Sequence, residues 1–164
     1  MMLLALDQSI RISGYSVFKE QELISYGHWS IPSSLPLGQR LHMFLNHLDE
    51  LNEKYKIDRV AFEDIQMQRG NVETYKKLCY TQAMIIFWCE KHKVLYDILS
   101  PSHWRSVIKQ KCGKAFGRKR EEQKLAAQEF VKDKYNIKAT EDEADAISLG
   151  TAAILEQDKD TCAF

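Results

Sequence analysis

The chain has 164 residues, 45% of them hydrophobic and 28% charged, the proportions of one globular domain with a buried core. Lys plus Arg and Asp plus Glu both number 23, so no global field advertises a nucleic-acid or membrane partner, and any such surface must be local. Cys79, Cys89, Cys112 and Cys162 form no C-x-x-C pair and have no His at ligand spacing, which argues against zinc and against a disulfide framework and fits reduced thiols. The apolar start, Met2 to Leu6, lacks a basic flank and is far too short for a signal peptide or a membrane span. The expectation is a soluble, cytoplasmic protein.

Residues 2–7 (MLLALD) form a continuous apolar run ending in an acid, the pattern of a buried central strand with Asp7 at its carboxyl end. Gly14 opens a second run, YSVF, and residues 22–29 give a third; short connections between the three predict an antiparallel meander. After the loop IPSSLPLG, Leu37, Leu41, Phe44, Leu48, Leu51 and Tyr55 recur at steps of three and four, predicting an amphipathic helix over 37–55. DRVAFED is a short strand carrying Glu63 at its end, followed by a polar loop from Gln66 to Asn71.

Residues 72–92 carry a long helical pattern. Its second half, AMIIFWC, is apolar on nearly all sides, so it must pack on more than one face, part of it at a subunit interface. Residues 93–99 predict a fifth strand, and Ser100-Pro101 is an N-cap plus N1 signal for a short helix, SHWRSVIKQ. Helices over about 119–134 and 142–156 follow, with a flexible tail over about 157–164. The order predicts a mixed five-stranded sheet flanked by helices.

Asp7 and Glu63 both close apolar strands, and neighbouring strand ends would bring them to one rim of the sheet, where ligands of open sheets bind; acids at strand ends are also ordinary turn residues. In ATEDEADAIS, Asp142 and Asp145 are three apart and share one helix face. Thr140 and Glu143 match a capping box, which accounts for acids in the first turn. It does not account for Asp145, which lies deeper and is followed by Ala146, Ile147, Leu149 and Ala152. A carboxylate among apolar neighbours needs a partner. Oxygen ligands without His or Cys suit Mg²⁺ or Mn²⁺. Converging acids would hold two such ions about 4 Å apart, the arrangement that hydrolyses phosphodiesters without a protein nucleophile.

From Lys109 to Arg120 the segment KQKCGKAFGRKR holds Lys109, Lys111, Lys114, Arg118, Lys119 and Arg120 and no acid. Read as a loop, it offers Gly113 and Gly117 for close approach of the backbone to phosphate and Phe116 for stacking on a base. A solvated loop is the plain alternative. A carboxylate metal site beside a basic surface makes nucleic acid the natural substrate. His103 reads as a structural or surface histidine, and Trp29, Trp88 and Trp104 as core or interface residues.

Asp7 with Ser9 and Gly14 in LALDQSIRISGYSVF, Glu63 in VAFEDI, and Asp142 to Ala146 in DEADA together resemble the RuvC family of Holliday junction resolvases, within the RNase H-like superfamily, and especially its small phage-encoded members. The resemblance spans Leu3 to about Ile154. It implies an RNase H-like fold, metal-binding catalytic acids at Asp7, Glu63, Asp142 and Asp145, a homodimer nicking branched DNA symmetrically, and the cytoplasm of a bacterial host if the chain is phage-encoded. It also implies that Lys109 or Lys111 and one of Arg118 to Arg120 lie beside the scissile phosphate. Gln8 and Ser9 stand where cellular members commonly carry Pro and Gly, and Gln66, Met67 and Gln68 stand where many carry a wedge, with Met67 the residue able to wedge at the junction.

Three other readings stay open from sequence: an actin-like ATPase or sugar kinase, which the absence of glycine-rich phosphate loops disfavours; a non-catalytic branched-DNA binding protein, which four intact acids disfavour; and a less selective flap or fork nuclease, which the metal chemistry allows.

Overall fold

The computed structural model describes residues 1–67 and 71–160, apart from the side chains of 158–160. Five strands form one sheet: β1 (Met2–Asp7), β2 (Ile12–Lys19), β3 (Glu22–Ser30), β4 (Arg59–Glu63) and β5 (Leu95–Leu99), in the spatial order β3-β2-β1-β4-β5. β1, β2 and β3 pair antiparallel, whereas β4 joins β1 and β5 joins β4 in parallel. The helices are α1 (Leu37–Tyr55), α2 (Val72–His92), α3 (Pro101–Cys112), α4 (Arg120–Tyr135) and α5 (Glu141–Asp160). The predicted meander, the strand at Glu63 and all five helices are present.

Alternation along β1 divides the core. Leu3 and Ala5 face the layer containing Trp104, Ala127, Ala144 and Ile147, while Leu4 and Leu6 face Phe44, Leu48, Ile85 and Trp88. Asp7 keeps the parity of Leu3 and Ala5, and Glu63 that of Ala61, so both acids leave the sheet on the α3–α5 side. Burial on both faces is the reason β1 reads as a continuous apolar run.

Three differences from the sequence expectation matter. Lys109, Lys111 and Cys112 belong to α3, because the helix continues to a left-handed C-cap at Gly113 (φ 74°); the loop is only 113–119. Phe116 is no free stacking platform: it is half-buried, edge-on to Trp104 with centroids 5.3 Å apart. Gly117 serves the next helix, since a Cβ there would collide with Glu122, whose carboxylate accepts from the backbone N–H groups of Arg118 and Lys119.

α2 buries Thr81, Ile85, Trp88 and Cys89 and leaves Tyr80 and Phe87 exposed. Of the tail expected over 157–164, residues 157–160 continue α5, while 161–164, with Cys162, lie outside the described residues, as does Gln68. Among the described residues no helix is long and apolar enough to cross a membrane.

Candidate metal centre

Asp7 ends β1, Glu63 ends β4, and Asp142 and Asp145 stand in the opening turns of α5, which crosses the sheet over β1 and β2. Helix capping sets where α5 starts: Glu143 accepts from the backbone N–H of Thr140 at 2.9 Å, and the Thr140 hydroxyl accepts from the N–H of Glu143 at 3.4 Å. The other Glu143 oxygen meets His28 Nδ1 at 2.8 Å, so this acid is committed to the helix start rather than to the cluster.

Gly14 decides how close α5 comes. It pairs with Asp7 across β1 and β2, and a Cβ on it would sit inside the van der Waals shell of the Asp142 carbonyl. The helix start therefore rests on bare backbone beside Asp7, which brings Asp142 and Asp145 over the strand ends.

The four acids, all half-buried, act on one another. Burial holds the Asp7 carboxyl well above the usual carboxylate range, reinforced by Asp145, Glu63 and Asp142 and opposed by Lys124. Burial raises Asp145 to about 7, Glu63 adds to this, and Arg105 and Lys124 oppose it. Glu63 and Asp142 are also raised, first by burial. The indole N–H of Trp104 donates to Glu63 at 2.7 Å, fixing that carboxylate and partly offsetting its rise.

A cluster of mutually destabilising, oxygen-only donors is suited to a hard divalent cation, which replaces repulsion by attraction. Among the described residues no group of three or more His, Cys, Asp or Glu side chains stands close enough to hold a metal ion without some rearrangement.

Elevated carboxyl values have a consequence for stability. An unfolded Asp loses its proton near 3.8, whereas Asp145 retains its proton to about 7, so between those values the native state binds more protons and stability falls as pH rises. We expect the melting temperature of metal-free protein to drop from pH 4 to 7. Asp145→Asn should remove on the order of 3 kcal/mol of the stability lost over that range, and Mg²⁺ at pH 8 should recover the loss. Calorimetry of both proteins with and without Mg²⁺ checks this; identical slopes would rule it out.

The expected cations stand differently. Lys109, Lys111, Arg118, Lys119 and Arg120 are exposed, and Lys114 is tied to Glu129 at 2.6 Å. The positive charges acting most strongly on the acids are Lys124, which pairs with Glu141, and Arg105, with His28 acting on Asp142. Arg105 lies over the Trp104 ring at 4.7 Å. Sequence reasoning missed Arg105, Lys124 and the link from Trp104 to Glu63. No sequence signal marks Arg105: its place follows from β5 running parallel to β4, with Leu99 opposite Glu63, so that the helix after β5 begins at the same rim. His103 is on the surface, paired with Glu156 at 2.6 Å. Met67 is 67% exposed, four residues beyond Glu63.

A mixed sheet of this order flanked by helices, with acids at the ends of β1 and β4 and on the helix crossing them, has the RNase H-like architecture. Residues 3–153 match the family model of the crossover junction endodeoxyribonuclease RuvC, and the chain belongs to that family. It is 28% identical over 164 residues to the crossover junction endodeoxyribonuclease RuvC of Dictyoglomus turgidum, covering 96% of this chain and 99% of that one. Its fold is similar to Thermus thermophilus RuvC in complex with Holliday junction substrate (TM-score 0.76, 16% identity, 98% of each chain). It is also similar to the Fowlpox virus resolvase in complex with Holliday junction DNA (TM-score 0.56, 16% identity, 96% of this chain and 99% of that one).

Proposed function

We propose that this chain resolves four-way DNA junctions by metal-dependent phosphodiester hydrolysis, with Asp7, Glu63, Asp142 and Asp145 holding two Mg²⁺ ions for which Mn²⁺ can substitute. As a member of the RuvC family it is a Holliday-junction-resolving endonuclease. The observation that carries the site assignment is the convergence of four raised carboxylates from β1, β4 and α5 at one rim.

Bound there, the ions would supply Lewis-acid stabilisation of the phosphoryl oxygens and lower the pKa of the attacking water. The protein's part is positional. Trp104 holds the Glu63 carboxylate in one orientation, and Gly14 admits the helix carrying Asp142 and Asp145. Arg105, whose buried Nε has no hydrogen-bond partner among the described residues, and Lys124 offset the negative field that an incoming phosphodiester meets.

Farther out, exposed Lys109, Lys111, Arg118, Lys119 and Arg120 give the DNA arms a cationic track, with Lys114 at its edge. Exposed Met67, beyond Glu63, would wedge at the branch point. Tyr80 and Phe87 on α2, with Leu95 and Ile98 on the edge strand β5, expose apolar surface suited to a second copy. A homodimer would match the two-fold symmetry of the junction and present two sites to like strands.

Incubation with a synthetic four-way junction and Mg²⁺ tests the assignment. Paired, symmetric nicks should appear in the junction at a rate at least tenfold above cutting of the linear duplex of the same sequence. Equal cutting of both would remove junction selectivity and leave a general nuclease.

A further inference from the structure

Backbone pairing of β1 with β4 runs from Leu3 opposite Arg59 to Leu6 opposite Phe62 and stops one residue short of the acids. Beyond it, Asp7 continues to pair with Gly14 on β2, and Glu63 with Leu99 on β5. The sheet thus forks at the level where the two carboxylates leave it, each acid belonging to a different arm.

The Gln8 side chain fills the fork. Its Nε2 donates to the Glu63 carbonyl at 2.5 Å, and its Oε1 accepts from the Glu63 backbone N–H at 3.2 Å. A primary amide carries the same donor and acceptor as a peptide group, so this side chain supplies the rung that the backbone does not. Gln8 is only 6% exposed, which gives both bonds the strength of a shielded environment. Where the backbone ladder between β1 and β4 ends, these two bonds are what sets the width of the fork.

We propose that Gln8 is a positioning residue that fixes the spacing of the Asp7 and Glu63 carboxylates and so makes the centre selective for a small divalent cation over a larger one. The inference rests on the metal-site assignment above. Mg²⁺ needs near-ideal octahedral geometry at about 2.0–2.1 Å, whereas Ca²⁺ accepts longer and less regular contacts at about 2.3–2.6 Å. A fork held at one width favours the first; a fork free to widen loses that preference. Among the described residues Glu63 has no other hydrogen bond to the β1 arm, so the width of the fork depends on residue 8.

Gln8→Met tests this, because methionine keeps the length and apolar volume of the side chain and removes both bonds. The thermal shift produced by MgCl₂ and, separately, CaCl₂ is titrated in full-length wild-type and variant protein, and exchange of the Glu63 amide hydrogen is followed without metal. The Mg²⁺ concentration for half of the full shift should rise about tenfold in the variant and that for Ca²⁺ less than threefold, while the Glu63 amide exchanges at least tenfold faster. Equal movement of both midpoints, or of neither, overturns the proposal, as does an unchanged amide. If Gln8→Met does not fold, Gln8→Asn, whose amide is one methylene too short to span both bonds, carries the same measurements and the same criteria. Failure of the underlying assignment looks different: wild-type protein would then show no metal-dependent shift at all.

Discussion

Asp7→Asn is expected to lower the rate of junction cleavage by roughly 10³-fold or more, about 4 kcal/mol of transition-state stabilisation, while leaving junction binding unchanged or tighter. Asp7 sits at the centre of the cluster, since all three other acids act on it. The amide is isosteric, so the fold is preserved, but it offers a neutral and weaker ligand to a hard cation. Removing a negative charge beside the path of the phosphodiester does not weaken binding. For the same reason the metal-free variant should melt at or above the wild-type temperature at pH 8, where the lost carboxylate would otherwise repel its neighbours. Single-turnover cleavage, a mobility-shift titration and a melting curve measure the three effects. Normal cutting by Asp7→Asn would remove the metal-centre assignment, and loss of binding together with cutting would make Asp7 a structural residue.

Gly14→Ala should be the most damaging single-methyl change in the site. The added Cβ meets the carbonyl oxygen and carbon of Asp142 and the backbone nitrogen of Glu143. All three are helix backbone, so no side-chain rotation relieves the clash, and β2 is held between β1 and β3. Either α5 lifts from the sheet or β2 bends, at about 3 kcal/mol or more, a fall in melting temperature of roughly 10 °C. Cleavage should fall at least ~100-fold even at temperatures where the variant is folded, because lifting the helix by about 1 Å displaces Asp142 and Asp145 from Asp7 and Glu63. Differential scanning calorimetry and junction cleavage at 20 °C check both. A variant that melts within 2 °C of wild type and cuts normally would show that α5 does not rest on Gly14.

These two residues differ in how legible they were. Asp7 closes an apolar run, and the solvent boundary of a buried strand is visible in composition. The sequence also placed the meander, the strand carrying Glu63 and the five helices, because period, N-cap and turn chemistry act over a few residues. The capping box of Thr140 and Glu143 was readable on the same grounds, and the structure forms both of its bonds. The basic segment was partly misread: its charges are present, but α3 takes Lys109 to Cys112 and only Gly113 ends it, since a glycine reads alike as a loop residue and as a helix cap.

The chain's local patterns thus set which segments are strands and helices, and marked Asp145 as an acid without a capping role. The partners of these residues came from packing between distant segments. Gln8 bridges to Glu63 across 55 residues and Trp104 reaches the same acid across 41, distances over which no pattern in the chain carries information. Sheet order brought β1, β4 and β5 to one rim, and alternation turned Asp7 and Glu63 to the face that α5 covers. The helix then came close enough for its acids to join them because Gly14 left room, a fact fixed by packing between elements far apart in sequence.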